Sequence, residues 1–204
     1  LAPQIDRWVI KNTLKWMSDH ENQLQQISGV AINLSGQTLG DEGLLGYIIR
    51  TLENSRIPPL KIKFEITETA AIANLQDAQV FIKTLRRLGC QFSLDDFGSG
   101  LSSFGYLKTL PVDYLKIDGM FVKDILIDPI DEAMVRSINE IGHIMGMQTI
   151  AEFVETEEIR QRLIKLGIDY AQGYSIHKPE PVNNILQQQD QTEGSAILLS
   201  DWKI

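Results

Sequence analysis

Polar side chains follow six short apolar stretches of the sequence, at the point where each stretch ends. Segments with helical periodicity separate these stretches. In a barrel of parallel strands the carboxyl ends of all strands meet at one mouth, where such enzymes carry their catalytic groups. Oxygen ligands and a single amine suit hard metal ions and a phosphate ester better than nucleophilic catalysis by serine or cysteine. The six groups are Asn33, Glu65, the pair Asp95-Asp96, Lys116, Glu152 and Gln172.

The strongest local signal is the pair Asp95-Asp96, which is followed by a loop with two glycines and a serine. Adjacent side chains on a strand face opposite ways, but at a strand end the backbone can turn both carboxylates toward one site. One carboxylate could then bridge two cations about 3.5–4 Å apart, as in two-metal phosphodiester hydrolysis. The same residues also suit an ordinary Asx turn, so the pair alone leaves both interpretations open.

The other strand-end groups favour a site when they are considered together. Glu65 and Glu68 lie three residues apart, and Glu152 and Glu155 repeat that spacing. Either pair alone would suit a solvated strand end or a helix cap. Lys116 lies between two apolar residues of a strand, so an inward orientation would require an anionic partner. The carboxylates at neighbouring strand ends would supply that partner.

The composition indicates one globular domain and excludes several functions. The 204 residues are 43% hydrophobic and 23% charged, and the net charge of −8 disfavours binding to polymeric nucleic acid. The single cysteine, Cys90, excludes an internal disulfide and is expected to be a buried structural thiol. The histidines lack zinc-ligand spacing, which favours Mg²⁺ or Mn²⁺. Because no apolar run could span a membrane, we expect a cytoplasmic domain, and any membrane attachment of the natural protein would come from upstream segments.

Helical and strand patterns alternate, which predicts βαβ units and a parallel sheet. Since no Gly-x-Gly-x-x-Gly turn is present, we favour a barrel whose first strands precede residue 1 over an open doubly wound sheet. The core is expected at about 5–186, followed by a polar segment at 187–195 and a tail at 196–204 with a last strand at 196–199. The expected strands are 30–33, 62–66, 91–94, about 111–116, 148–152 and 169–172, and the expected helical segments are 5–17, 41–55, 75–88, 102–107, 131–145 and 157–166.

Six ordered motifs resemble those of EAL domains, which are bacterial phosphodiesterases that linearise cyclic di-GMP. The resemblance runs from about residue 5 to residue 181, within a single domain expected at 1–204. The motifs are Asn33-Leu34-Ser35, Glu65-Ile66-Thr67-Glu68, Asp95-Asp96-Phe97-Gly98-Ser99-Gly100, Lys116-Ile117-Asp118, Ala151-Glu152-Phe153-Val154-Glu155 and Gln172-Gly173-Tyr174.

The resemblance implies a fold and a pair of metal ions. The fold would be a TIM-type (β/α)₈ barrel with an antiparallel first strand, truncated at its N-terminus in this sequence. Two ions, Mg²⁺ or Mn²⁺, would bind at the mouth. Asn33, Glu65 and Asp95 would be ligands of the first ion. Asp95, Asp96 and Glu152 would be ligands of the second, so that Asp95 bridges the two.

The resemblance also implies roles in the reaction. Lys116 would hold the attacking water and stabilise developing charge. Glu152 would act as general base or position the water, and Glu68 would anchor the loop after Asp96. The remaining family positions would contact substrate or order the metal and water surroundings, and they are Glu155, Gln172, Asp118 and Ser99.

The sequence departs from the family pattern at several positions. The Glu-Ala-Leu signature is absent and would lie upstream of residue 1, where its glutamate would complete the first metal site. Phe153 stands where glycine is frequent, Leu101 where tyrosine is common, and Ser99 where threonine is frequent. We expect Phe153 to alter the packing beside Glu152.

The resulting expectation is a metal-dependent cyclic di-GMP phosphodiesterase, with weak or no activity in this chain alone. The alternative is a catalytically inactive receptor that binds cyclic di-GMP and acts through a partner domain, and a third reading is a purely structural dimerisation domain. The resemblance further implies a homodimer, fused upstream to diguanylate cyclase-like or sensory domains.

Overall fold

The computed structural model describes residues 1–100, 105–182 and 184, in which α-helices and β-strands alternate along the chain. The strands are β1 Val30–Asn33, β2 Ile62–Thr67, β3 Gln91–Phe97, β4 Tyr114–Ile117, β5 Gln148–Ala151 and β6 Tyr170–Ala171. The helices are α1 Ala2–Asp19, α2 Glu42–Glu53, α3 Glu68–Ala73, α4 Leu75–Arg87, α5 Gly119–Val122, α6 Pro129–Ile144 and α7 Glu157–Leu166. Short 3₁₀ turns lie at Gln23–Gln26, Gly36–Thr38, Pro59–Lys61 and Tyr106–Thr109.

The described strands form one parallel sheet whose spatial order follows the chain from β1 to β6. Each strand is added to the same edge of the growing sheet. Because connections between parallel strands are right-handed, every connection then lies over the same face of the sheet. A doubly wound sheet would instead reverse its order at a switch point. The strand order therefore gives a barrel-like fold, in agreement with the preferred expectation.

The antiparallel first strand implied by the resemblance is not supported. The first strand that the structure describes, β1, pairs with β2 in parallel from Val30 opposite Ile62 to Asn33 opposite Glu65. The connection between these two strands includes α2, which returns the chain to the same end of the sheet and so permits parallel pairing. The segments 187–195 and 196–204, with the last strand expected at 196–199, lie outside the described residues, as does the first half, 102–104, of the helical segment expected at 102–107.

Local capping signals account for the predicted helix ends. The Asp41 side chain accepts a hydrogen bond from Leu44 N at 3.0 Å at the start of α2. Thr156 caps α7 in the same way, and Gly167 ends that helix in the left-handed conformation with φ 78°. The bounds of α7 are those predicted from these residues. Two short helices, α3 and α5, were not predicted, and β3 extends three residues beyond its expected end.

Alternating residues along the strands lie on opposite faces of the sheet, one apolar and the other carrying polar groups. On β2, Ile62, Phe64 and Ile66 are buried in the apolar cluster formed with the helices, whereas Glu65 lies on the opposite face. Cys90 is buried as expected, and burial raises the pKa of its thiol to about 12. Among the described residues, no helix is sufficiently long and apolar to span a membrane.

Candidate functional site

Main-chain hydrogen bonds fix the polar residues at the carboxyl ends of the strands, an edge called the mouth below. Glu152 N donates to Ile117 O at 3.2 Å, so the β4–β5 ladder continues one residue beyond β5. Gln172 N donates to the last residue of β5 at 2.8 Å in the same manner. Asn33 lies opposite Glu65 in the β1–β2 register. The sheet register thus places these residues directly at the mouth.

A β-bulge turns Asp95 and Asp96 toward one site. Between Leu94 and Phe97, β3 advances by three residues while the paired stretch of β4 advances by two. Asp96 adopts φ 54°, in the left-handed region that aspartate enters more readily than most residues. The sequence predicted that the backbone would turn both carboxylates to one side. The turn arises from a bulge inside β3, whereas we expected a loop that began at Asp95.

Lys116 lies at the centre of a group of carboxylates. Its Nζ is 2.7 Å from Asp95 Oδ1, 2.8 Å from Glu152 Oε1 and 3.3 Å from Glu65 Oε2. Burial lowers the pKa of Lys116, but the charges of these three carboxylates outweigh burial and raise the pKa above its ordinary value. The lysine therefore stays protonated in its folded surroundings. The residues Glu65, Asp95, Asp96, Lys116 and Glu152 are called the acidic cluster below.

The acidic cluster contains more negative charge than Lys116 can balance. Ligand atoms of Asp95, Asp96 and Glu152 all lie within 4.8 Å of one another. Burial, reinforced by the two aspartates, raises the pKa of Glu152 to about 7 in spite of Lys116. The pKa values of Glu65 and Asp96 are raised as well, first by burial and then by the Asp95 carboxylate, against the opposing effect of Lys116.

The charges around Asp95 show that the cluster suits a further cation. Asp95 Oδ1 is buried, and its neighbouring positive charge is the Lys116 ammonium at 2.7 Å. This single ammonium is shared with Glu65 and Glu152, so one positive charge faces three carboxylates. Closely spaced carboxylates without histidine or cysteine are typical ligands of hard cations such as Mg²⁺ or Mn²⁺. The donor set of Asp95, Asp96 and Glu152 therefore fits a hard divalent cation.

Glu68 begins α3, whereas we expected it in a loop. Thr67 caps this helix, so the chain turns directly from β2 into α3. The Glu68 side chain is 1% exposed, and its Oε2 accepts a hydrogen bond from Gly98 N at 3.0 Å. Its Oε1 accepts a second hydrogen bond from the hydroxyl of Tyr106. The contact with Gly98 is the one that anchoring the segment after Asp96 would require.

The other predicted residues surround the acidic cluster. Asp118 Oδ1 accepts from Met120 N at 2.8 Å and thereby caps α5, and its charge adds to the rise in the pKa of Asp96. Ser99 Oγ donates to the carbonyl oxygen of Asp96 at 2.8 Å. Three further residues are exposed at or beyond strand ends, namely Asn33, Glu155 and Gln172.

Phe153, which replaces a frequent glycine, adopts a backbone conformation that favours glycine. Its φ is 54°, and its ring covers Gly119 so closely that a Cβ added there would lie 2.1 Å from the ring. Lys123 Nζ lies 4.3 Å from the ring centroid, in range for a cation–π contact. The ring thus packs on the start of α5, and an effect of this packing on the neighbouring Glu152 stays a prediction.

Two polar residues near the mouth were missed by the sequence analysis. Asp6 of α1 accepts hydrogen bonds from Ser35 N at 3.0 Å, from Ser35 Oγ at 2.9 Å and from the hydroxyl of Thr38. Its position on the buried face with Ile10 and Leu14 was a usable signal, because a lone carboxylate on an apolar face needs partners. Tyr106 gave no such signal, since its partner lies 38 residues earlier in the chain.

The chain is similar in sequence to known proteins. The model of the EAL domain family matches residues 1–179. The chain is 47% identical over 188 residues to the cyclic di-GMP phosphodiesterase PdeB of Shewanella oneidensis, and the aligned region covers 92% of this chain and 22% of that protein. It is 37% identical over 196 residues to the cyclic di-GMP phosphodiesterase PdeF of Escherichia coli, covering 96% of this chain and 26% of that protein. The chain therefore spans about a quarter of the length of these curated relatives.

Solved structures give the same result for the fold. The EAL domain of Mycobacterium smegmatis DcpA matches with a TM-score of 0.87 at 29% identity, covering 96% of this chain and 88% of that one. The FimX EAL domain from Pseudomonas aeruginosa, bound to c-di-GMP, matches with a TM-score of 0.80 at 33% identity, covering 88% of this chain and 72% of that one.

Proposed function

The chain belongs to the EAL domain family, and from the geometry of its acidic cluster we propose that the natural protein hydrolyses cyclic di-GMP to linear diguanylate. The observation that carries this proposal is Lys116, whose ammonium lies within 3.3 Å of carboxylates from three strands. Two of the similar proteins are named cyclic di-GMP phosphodiesterases, and the similar FimX domain was solved with c-di-GMP bound.

The acidic cluster would hold two Mg²⁺ or Mn²⁺ ions. Asn33, Glu65 and Asp95 would bind one ion, and Asp95, Asp96 and Glu152 would bind the other. The excess of carboxylates over the single Lys116 ammonium supports this assignment, as do the raised pKa values of Glu65, Asp96 and Glu152. Bound divalent cations lower the pKa of water and neutralise charge on a phosphate.

The side chains of this chain would orient the reactants and move the proton. Lys116 stays protonated, so it donates hydrogen bonds to the attacking water and stabilises negative charge that develops on the phosphate. Glu152 lies 2.8 Å from the Lys116 ammonium, and its carboxylate would take a proton from the attacking water or position that water. Glu68 would anchor the segment after Asp96. Substrate contacts or ordering of the water would come from Glu155, Gln172, Asp118 and Ser99.

The six described strands would be part of an eight-stranded barrel. Among the described strands, β1 and β6 each pair on one side, and an unpaired edge leaves backbone hydrogen-bonding groups free for further strands. The natural protein would be a homodimer with upstream diguanylate cyclase-like or sensory domains and a cytoplasmic EAL domain. The quarter-length match to curated relatives supports additional domains.

Asp95→Asn in the purified natural protein tests the proposed function. With Mg²⁺ or Mn²⁺ the unmodified protein should release linear diguanylate, and the substitution should reduce turnover more than about 100-fold because it weakens a ligand shared by both ions. Asp128→Asn is a matched control, since asparagine can still accept the hydrogen bond from Ile130 N that caps α6.

The outcomes separate the two candidate functions. A well-folded protein that shows no turnover with either metal would exclude the phosphodiesterase. Tight binding of cyclic di-GMP without turnover would select the inactive receptor, which the ligand-bound FimX relative also supports. Equal loss of activity in Asp95→Asn and Asp128→Asn would show that the loss does not depend on the acidic cluster.

A further inference from the structure

The buried Glu68 carboxylate contacts two other parts of the chain, and neither contact belongs to a pairing between strands. One oxygen accepts from Gly98 N at 3.0 Å, and the other accepts from the Tyr106 hydroxyl. The Glu68 side chain is 1% exposed, so water cannot readily replace either donor. Within the described part of the chain, each oxygen of this carboxylate therefore has one protein donor that orients it.

Gly98 lies at the end of the turn that presents Asp95 and Asp96. This turn is strained, since Asp96 adopts φ 54° inside the bulge of β3. Gly98 itself adopts φ 98°, and a Cβ added there would lie 2.8 Å from the ring of Phe121. The ring of Phe121 therefore limits movement of Gly98 toward the core, and the hydrogen bond between Gly98 N and Glu68 restrains the turn further.

We propose that Tyr106 is a positioning residue that holds the Asp95-Asp96 turn through Glu68. The Tyr106 hydroxyl fixes one carboxylate oxygen, and this orientation keeps the other oxygen in line with Gly98 N. Without the hydroxyl, a buried oxygen of Glu68 loses this donor, and the carboxylate is free to rotate. Rotation weakens the contact with Gly98. The consequence for cation binding rests on the proposed function, in which Asp95 and Asp96 are ligands.

Tyr106→Phe tests the link to Gly98 without any metal. Hydrogen exchange of the Gly98 amide, measured by NMR on the metal-free chain, should become about tenfold faster, because the amide loses part of one hydrogen bond. Tyr114→Phe is the matched control. It removes a hydroxyl that lies 3.2 Å from Lys63 Nζ and 3.4 Å from the side-chain oxygen of Gln91, away from Glu68, and should leave Gly98 exchange unchanged.

Mn²⁺ titration of the same variants tests the effect on the acidic cluster. Tyr106→Phe should weaken Mn²⁺ affinity about tenfold, the usual effect of losing a residue that orients metal ligands, whereas Tyr114→Phe should not change it. If Tyr106 acts through Glu68, adding Tyr106→Phe to Glu68→Ala should cause no further loss of affinity. Additive losses would overturn the proposed route.

The exchange measurement also separates this inference from the proposed function. Unchanged Gly98 exchange in folded Tyr106→Phe would overturn the role of Tyr106, whatever the affinity for Mn²⁺. A failure of the unmodified chain and of the natural protein to bind Mn²⁺ would overturn the proposed function. The Gly98 exchange rates would still decide whether Tyr106 holds the turn.

Discussion

At the amino-terminal end of the sheet, the carboxylate of Asp169 has three close partners, all on one oxygen. Its Oδ2 lies 2.8 Å from both Thr149 N and His143 Nε2 and 3.1 Å from Thr149 Oγ1. Burial raises the pKa of Asp169, but the Thr149 and His143 contacts outweigh burial and lower it. At the mouth, Glu152 shows the opposite, with a pKa raised to about 7. A half-buried carboxylate bound by several donors is thus structural, whereas buried carboxylates whose charge remains unbalanced mark a candidate binding site.

The two ends of the sheet also differ in the residues that adopt left-handed backbone conformations. Near the amino-terminal end, the left-handed residues that precede β3, β5 and β6 are Gly89, Gly146 and Gly167. At the mouth, Asp96 and Phe153 adopt left-handed conformations with a side chain present. Glycine enters this region at little cost, whereas other residues are strained there. The strained residues at the mouth are therefore a member of the acidic cluster, Asp96, and the neighbour of another, Glu152.

Removal of a carboxylate should therefore affect different properties at the two ends, namely stability at Asp169 and metal binding at the acidic cluster. Asp169→Ala should reduce the free energy of unfolding by about 2–3 kcal/mol, because Thr149 N loses its acceptor in a buried position. Mn²⁺ affinity should not change, since Asp169 lies at the end of the sheet away from the acidic cluster. Urea unfolding and Mn²⁺ titration of the same preparation would measure both quantities.

Asp169→Asn is the conservative comparison for this variant. Its amide oxygen can still accept from Thr149, so it should recover most of the lost stability. A loss of Mn²⁺ affinity in Asp169→Ala that Asp169→Asn restores would mean that the two ends of the sheet are coupled, and the contrast between them would fail.

The sequence was informative wherever a local rule determined the outcome. Thr156 and Gly167 defined α7, and apolar runs ending in polar residues located the strands of the sheet. The presence of α3 was missed because Glu68 was expected in the loop beyond the strand, although threonine before glutamate also begins helices. The antiparallel first strand came from the resemblance, and no residue of this sequence had indicated it.

Features that depend on two distant segments were beyond local rules. The bulge that gathers Asp95 and Asp96 is a property of the register between β3 and β4, which periodicity within one strand does not contain. The contact of Glu68 with Tyr106 likewise requires the folded chain. The raised pKa of Glu152 follows from burial among other carboxylates, and burial is known only after three strands have been brought together.

The unbalanced charge at the mouth should make the stability of the metal-free chain depend on pH. Glu152 has a folded-state pKa of about 7 against an ordinary value of 4.5, so the folded state binds more protons between these values. Stability should then fall as pH rises from about 4.5 to about 7, by roughly 1–2 kcal/mol when coupling to Lys116 is allowed for. Urea unfolding in EDTA at several pH values would measure this slope.

Glu152→Gln should flatten the slope, because the amide does not titrate. Asp169 should not contribute in this range, since its lowered pKa gives stability that is lost only at acid pH, as pH falls through the folded-state value. A metal-free chain that becomes more stable between pH 5 and pH 7 would contradict an excess of negative charge at the mouth.

The smallest expected effect concerns the strained backbone at the mouth. Phe153→Gly and Phe153→Ala both remove the ring and its contact with Lys123, and they differ in the ease with which the residue adopts φ 54°. The glycine variant should therefore be more stable than the alanine variant by about 1 kcal/mol, although glycine normally destabilises a folded chain relative to alanine. The difference between the two urea midpoints isolates the backbone term. Greater stability of the alanine variant would mean that residue 153 is not left-handed in solution. The strain that distinguishes the mouth from the glycine turns at the opposite end would then be confined to Asp96.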